Sequence, residues 1–201
     1  MKGSIRFEKF VEALTRLIDG CDNEATLRRD GHRLLETLIA HDDWLPDAFA
    51  QPDAKYYQQY PLHVDPQGRF SVVSFVWGPG QNTPVHNHTV WGLIGMLRGG
   101  ERSERFEFRG DGQSMRYVGE ETLHPGEVDE VSPTIGDIHR VSNLYDDRVS
   151  ISVHVYGGDI GRISRHVFDP HTGAGKAFVS GYSSRGDEDS DEARSSAALP
   201  D

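Results

Sequence analysis

From Pro61 onward the chain is heavily punctuated: short segments rich in Val, Ile, Phe and Tyr alternate with clusters of Gly, Pro, Asp and Asn. Segments so short cannot hide an apolar face alone. They must stack on one another, which restricts the fold to a β-sandwich or barrel. The predicted strands are Phe70–Trp77, Val85–Leu97, Ser103–Phe108, Met115–Val118, Glu127–Val131, Ile138–Asn143, Val149–Tyr156, Ile163–Phe168 and Lys176–Val179. Before Pro61 the period changes. Ile5, Phe7, Phe10, Val11, Leu14, Leu17 and Ile18 recur at three- and four-residue intervals, predicting an amphipathic helix that ends at Gly20. A second helical pattern, carrying Leu27, Leu34, Leu35, Leu38 and Ile39, follows Asp22 and Asn23, either of which suits an N-cap. Gly31 lies inside that pattern and weakens it. A third short helix is expected around Trp44 to Phe49, interrupted by Pro46. Helices first and strands afterwards give an α+β, mainly β, class: a helical cap at 1–60 on a β-barrel at 61–182, read as one domain.

Composition narrows the partners. With 32 acidic and 21 basic residues the formal net charge is −11, and no basic patch stands out for nucleic acid or an anionic membrane. Met1 to Gly20 contains no uninterrupted apolar stretch of signal-peptide type, and no apolar run approaches the roughly 18 residues of a membrane span. One cysteine, Cys21, allows neither an internal disulfide nor a Cys-rich zinc site, so a cytoplasmic location is expected. Segment 183–201 holds Asp187, Glu188, Asp189, Asp191, Glu192 and Asp201 against Arg185 and Arg194, and is expected to be a disordered acidic tail.

The ten histidines are unusually placed. His86 and His88 stand two apart in a predicted strand, where a period of two puts both rings on one face. That suits two cis ligands on one metal, and equally a polar, solvent-facing strand. His139 follows Pro133 and Gly136, whose turn would swing it toward the first pair. Gly80-x5-His86-x-His88 and Gly136-x2-His139-x3-Asn143 together resemble the two signature motifs of the cupin superfamily. The position those motifs normally fill with Glu is Gly92, and the second motif's proline lies one residue further away than usual. Three neutral imidazoles leave the charge of a divalent metal uncompensated and coordination positions open, which favours an anionic ligand such as a thiolate. Zinc accepts such a set as readily as iron.

Ser152, His154 and Tyr156 alternate with Val153 and Val155 and therefore share one face of a strand. That face points either to solvent or into a barrel lumen. If it points inward, hydroxyl, imidazole and phenol form a hydrogen-bonded relay whose terminal Tyr156 hydroxyl can contact bound oxygen or substrate.

With these residues in place, the chain resembles the thiol dioxygenases of the cysteine dioxygenase family. The resemblance is carried by Phe70-x6-Trp77-Gly78-x-Gly80, His86-x-His88-Thr89, His139 with Asn143, and Ser152-x-His154-x-Tyr156. It implies Fe(2+) held by His86, His88 and His139, with Ser152, His154 and Tyr156 as the relay. Substrate and co-substrate would be a small thiol carboxylate and O2. Two departures qualify it. The cysteine that crosslinks to the tyrosine in mammalian members corresponds to Gly92, so no Cys–Tyr crosslink is expected. Their carboxylate-binding arginine corresponds to Gln59, which is similar to bacterial glutamine-type members associated with 3-mercaptopropionate. In that subgroup an arginine after the tyrosine holds the carboxylate, here Arg165, with Arg162 as rival and an exposed barrel-surface residue as the plainer reading of Arg165. The alternatives within this resemblance are L-cysteine as substrate, a zinc-dependent enzyme, and a cupin that binds a small molecule without turnover. Trp77 and Trp91 are expected to serve barrel packing, and no role is assigned to His32, His41, His63, His124, His166 or His171.

Overall fold

The computed structural model describes residues 5–110 and 112–183. Two helices, α1 (Ile5–Gly20) and α2 (Glu24–Ile39), precede a 3-10 turn at Asp47–Phe49. The strands that follow are β1 (Gln58–Val64), β2 (Ser71–Trp77), β3 (Val85–His86), β4 (Gly92–Arg98), β5 (Glu101–Glu107), β6 (Arg116–Leu123), β7 (Val128–Val131), β8 (His139–Asn143), β9 (Ser150–Tyr156), β10 (Arg165–Phe168) and β11 (Gly175–Phe178). They form two antiparallel sheets, ordered β1-β2-β9-β4-β7 and β11-β10-β3-β8-β5-β6. The class is α+β, mainly β: a two-sheet β-barrel with an N-terminal helical cap, as the sequence pattern predicts.

The cap explains why one sheet is buried on both faces. Phe10, Leu14, Leu35, Leu38 and Ile39 of the helices pack against Val72, Val76, Leu93, Leu97, Ile151, Val153 and Val155 of β2, β4 and β9. The other faces of these strands line the lumen, so all seven residues of β2 and of β9 are buried. Asn23 is the N-cap of α2, accepting a hydrogen bond from the Thr26 amide at 2.9 Å. Gly31 does not interrupt the helix. A Cβ there would come within 2.9 Å of Leu93 Cδ1, so the absent side chain lets α2 sit close on β4.

Several expected boundaries shift, each for a physical reason. The region expected to form a third helix, Trp44 to Phe49, makes only the 3-10 turn, with Pro46 directly before it. The barrel starts before Pro61: β1 was not predicted, because its Gln and Pro content hides it. It is an edge strand, where a missing N–H is tolerated, and it carries a register shift between Pro61 and His63. The expected strand Val85–Leu97 is two strands in different sheets, with residues 87–91 crossing between them. The strand expected at Met115–Val118 runs on to Leu123 as an exposed edge strand, where burial imposes no alternation. From residue 184 on, the segment expected to be an acidic tail lies outside the described residues.

The β1–β2 turn aligns β1 against the lumen, pairing Gln59 with Phe75. Its anchor is Asp65, a buried residue whose carboxylate accepts from the Gln67 and Arg69 amides and from the Arg69 guanidinium at 2.7–3.1 Å. The Arg69 bonds hold the Asp65 carboxyl at about 2, below the ordinary aspartate value. A carboxyl depressed on folding stabilises the fold above its unfolded pKa, near 4, and that stabilisation is lost as pH falls toward the folded value. Asp65→Asn is therefore expected to lower Tm by a few degrees at pH 7. The deficit should be clearly smaller at pH 3; equal deficits at the two pH values contradict the assignment.

Candidate metal centre and relay

Three different backbone contexts bring the histidines together. His86 ends β3, and His139 opens β8 directly opposite it in the antiparallel pairing. His88 lies beyond the end of β3, so strand periodicity does not place it as expected. A carboxylate does. Asp137 accepts from the His88 amide at 3.0 Å, the Thr89 amide at 2.8 Å and the His88 ring at Nδ1, 2.9 Å away. Thr89 is held at φ 62°, a left-handed conformation that costs energy in a β-branched residue. The Asp137 bonds hold the chain there.

The three ring centroids are each 4.9 Å apart, and one ligand nitrogen from each ring lies within 4.8 Å of the others. The opposite nitrogens are engaged: His86 Nδ1 with the Pro84 carbonyl at 3.0 Å, His88 Nδ1 with Asp137, and His139 Nδ1 with Ser103 Oγ at 3.0 Å. All three Nε2 atoms are thereby left for one common centre. Burial pushes the imidazoles of His86 and His139 well below the ordinary histidine value, and that of His88 below it against the opposing pull of Asp137. Neutral, pre-aimed imidazoles with engaged second nitrogens fit a divalent transition metal.

Ser152, His154 and Tyr156 point into the lumen, which decides between the two faces open to them. Tyr156 Oη is 2.8 Å from His154 Nδ1, and His154 Nε2 is 2.8 Å from Ser152 Oγ. Phe75 stacks on the His154 ring at 4.0 Å, and Tyr156 stacks on His88 at 5.4 Å. Burial raises the Tyr156 phenol above its ordinary value, so it stays protonated. Gly92 lies against this tyrosine: a Cβ there would be 3.0 and 3.1 Å from its ring carbons. Cys21 sits just after α1, where its thiol contacts the Asn23 carbonyl.

The centre opens into a cavity of about 50 Å³ lined by the three histidines, Tyr57, Gln59, Trp77, Tyr156 and Arg165 among others. Arg165 is buried, 4% exposed, which rules out the surface reading. Its Nη2 donates to Ser180 Oγ at 2.7 Å, its guanidinium lies over Phe178, and its Nε has no partner among the described residues. Arg162 does not line the cavity. Trp77, read from sequence as packing, both lines the cavity and donates its indole N–H to Ser152 Oγ at 3.1 Å. A larger concavity of about 550 Å³ between α1 and α2 holds no cluster of metal-ligating side chains among the described residues.

Ser103, Asp137 and Glu101 of the site are not marked by any sequence pattern. Asp137 is two residues from His139, but its partner is His88, 49 residues away, so only the fold reveals it. Glu101 was placed outside the barrel strands; it begins β5, is 2% exposed and accepts a hydrogen bond from the Ser152 hydroxyl.

A family model described as cysteine dioxygenase type I matches residues 37–169. Cysteine dioxygenase type 1 of Rattus norvegicus is 28% identical over 109 residues, covering 53% of this chain and 52% of the rat protein. The Danio rerio protein of the same name is 26% identical over 134 residues, covering 65% and 64%. The chain thus spans about half the length of the rat relative. Among solved structures, a double-stranded beta-helix protein from Klebsiella pneumoniae is similar with a TM-score of 0.44 and 17% identity, over 59% of this chain and 93% of that one. A cupin superfamily protein from Desulfitobacterium hafniense gives 0.43 and 15%, over 59% and 94%.

His86→Ala and His139→Ala are each expected to abolish stoichiometric metal binding, read by metal analysis of the purified chain. Asp137→Ala should retain the fold and lose about 10–100-fold in metal affinity, measured by competition with a chelator. Wild-type affinity in that variant would remove Asp137 from the site.

Proposed function

Because the chain belongs to the cysteine dioxygenase type I family, we propose that it is a non-haem iron(II) thiol dioxygenase acting on a small thiol carboxylate, 3-mercaptopropionate in preference to L-cysteine. The reaction is RSH + O2 → RSO2H, in which the thiol supplies all the electrons and no external reductant is needed. The observation that carries the substrate class is Arg165: a buried guanidinium with an unpartnered Nε, lining the same small cavity as three convergent imidazoles. A buried cation needs an anion, and a substrate carboxylate supplies one.

His86, His88 and His139 are the proposed ligands. Iron bound there would supply the thiolate-binding position and the redox chemistry that O2 requires. The chain's own residues do the rest. Arg165 and Gln59 hold the carboxylate from the β10 and β1 sides of the cavity, the first by charge and the second by a neutral hydrogen bond. Tyr156, backed by His154 and Ser152, presents a hydroxyl beside His88 where protons on the reacting groups are managed. The aromatic walls of Phe75 and Trp77 restrict water. No Asp or Glu lines the cavity among the described residues, so the ammonium group of cysteine would face Arg165 without a counter-charge. A thiol acid lacking an amino group avoids that repulsion. Gly92 offers no sulfur to Tyr156, and the proposed site works without a thioether.

The iron-loaded chain is expected to consume O2 and form the sulfinate stoichiometrically with 3-mercaptopropionate, with kcat/KM at least about tenfold above that for L-cysteine. O2 uptake is read with an electrode and the product by mass spectrometry. Uptake without sulfinate sinks the reading, and a reversed preference sinks its substrate half. Arg165→Ala should raise KM about 10–100-fold, the loss expected for a charge-assisted pair.

A further inference from the structure

The relay does not end at Ser152. The Ser152 hydroxyl meets Glu101, whose carboxylate is buried and lies 3.9 Å from His154 Nε2. Among the described residues no Lys or Arg pairs with it. We propose that Glu101 is a fourth, positioning member of the relay, which by capturing the Ser152 hydrogen fixes the direction of every hydrogen bond from there to Tyr156.

The direction follows from counting donors and acceptors. A serine hydroxyl has one hydrogen to give and two lone pairs with which to accept. Three groups surround Ser152 Oγ: the Glu101 carboxylate, the Trp77 indole N–H at 3.1 Å and His154 Nε2 at 2.8 Å. An ionised carboxylate only accepts and an indole N–H only donates, so the serine hydrogen goes to Glu101 and one lone pair goes to Trp77. The remaining lone pair requires a hydrogen on His154 Nε2. A neutral His154 then has a bare Nδ1, which takes the Tyr156 O–H. Tyr156 is left with its oxygen lone pairs free, and faces the cavity as an acceptor.

On the functional reading above, on which only this step rests, the acceptor serves the substrate thiol: Tyr156 Oη takes a hydrogen bond from the S–H group and so holds that proton at the tyrosine oxygen. Without Glu101 the serine is free to turn its hydrogen to Nε2, which reverses the chain and makes Tyr156 an acceptor of a bond from Nδ1–H instead.

The direct test is the tautomer of His154, read by 15N NMR in the full chain loaded with zinc, which is diamagnetic. Wild-type protein is expected to show a single form with hydrogen on Nε2, and Glu101→Leu to populate the Nδ1–H form. Hydrogen on Nδ1 in the wild type, or an unchanged tautomer in Glu101→Leu, overturns the proposal. Glu101→Gln keeps the size and an acceptor oxygen but removes the charge, which guards against a leucine variant that does not fold. In the iron-loaded chain it should lose about tenfold in kcat with KM within about threefold and metal content unchanged. A wild-type kcat in Glu101→Gln overturns the positioning role. If wild-type protein forms no sulfinate, the functional reading fails on its own, while the NMR measurement still decides the role of Glu101.

Discussion

Burial of β9 on both faces is the constraint on which the rest of the structure depends. A strand covered by helices on one side and facing a narrow lumen on the other keeps its side chains out of bulk water. Ile151, Val153 and Val155 answer this by packing against the cap. Ser152, His154 and Tyr156 cannot, and an unpaired buried polar group costs on the order of 1–3 kcal/mol. They satisfy one another along the strand, with Glu101 and Trp77 closing the far end. The helical cap therefore does more than shield apolar surface: it removes the solvent alternative and forces a polar stripe to become an ordered chain of hydrogen bonds.

The same logic governs the histidine centre. Burying three imidazoles within 4.9 Å of one another is unfavourable for any charged form, and each ring is kept neutral by its surroundings. Neutrality would still permit either nitrogen to face inward. The Pro84 carbonyl, Asp137 and Ser103 remove that freedom one ring at a time. Of these, Asp137 has the widest reach, because its carboxylate also fixes the backbone of residues 88 and 89 where the chain leaves β3 for the opposite sheet. The strained Thr89 is the local cost of turning a strand end into a ligand.

How much of this was legible in the sequence depended on whether the signal was periodic or spatial. The helix and strand classes follow from periods of 3.6 and 2, and His86, His88 and His139 stand out by spacing. No regular strand places His88, however: it lies where the chain crosses between sheets, and Asp137 holds it there. The inward face of β9 could not be read from alternation alone; it is set by which side the helices cover, a tertiary fact. β1 was hidden because Pro61 and two glutamines satisfy an edge strand but not a propensity argument. Glu101 and Asp137 were silent for a further reason. A charged residue in an acidic chain is ordinarily solvated, and only burial against Ser152 or His88 distinguishes these two from the others.

The arrangement divides charge across the cavity in a way that a net charge of −11 does not suggest. Its accessible wall carries the Arg165 guanidinium and the neutral histidine cluster, while the carboxylates Asp137 and Glu101 stand behind the histidines and the serine rather than in the lumen. Among the described residues the cavity wall thus presents cationic or neutral groups and no carboxylate. The negative charges act only through intermediaries, where they orient an imidazole or a hydroxyl without repelling what binds. Moving Glu101 one residue along β5 would turn it to the other face of the sheet. Placement behind the lining residues, rather than the amount of charge, lets an acidic protein keep a buried arginine in its cavity wall with no carboxylate beside it.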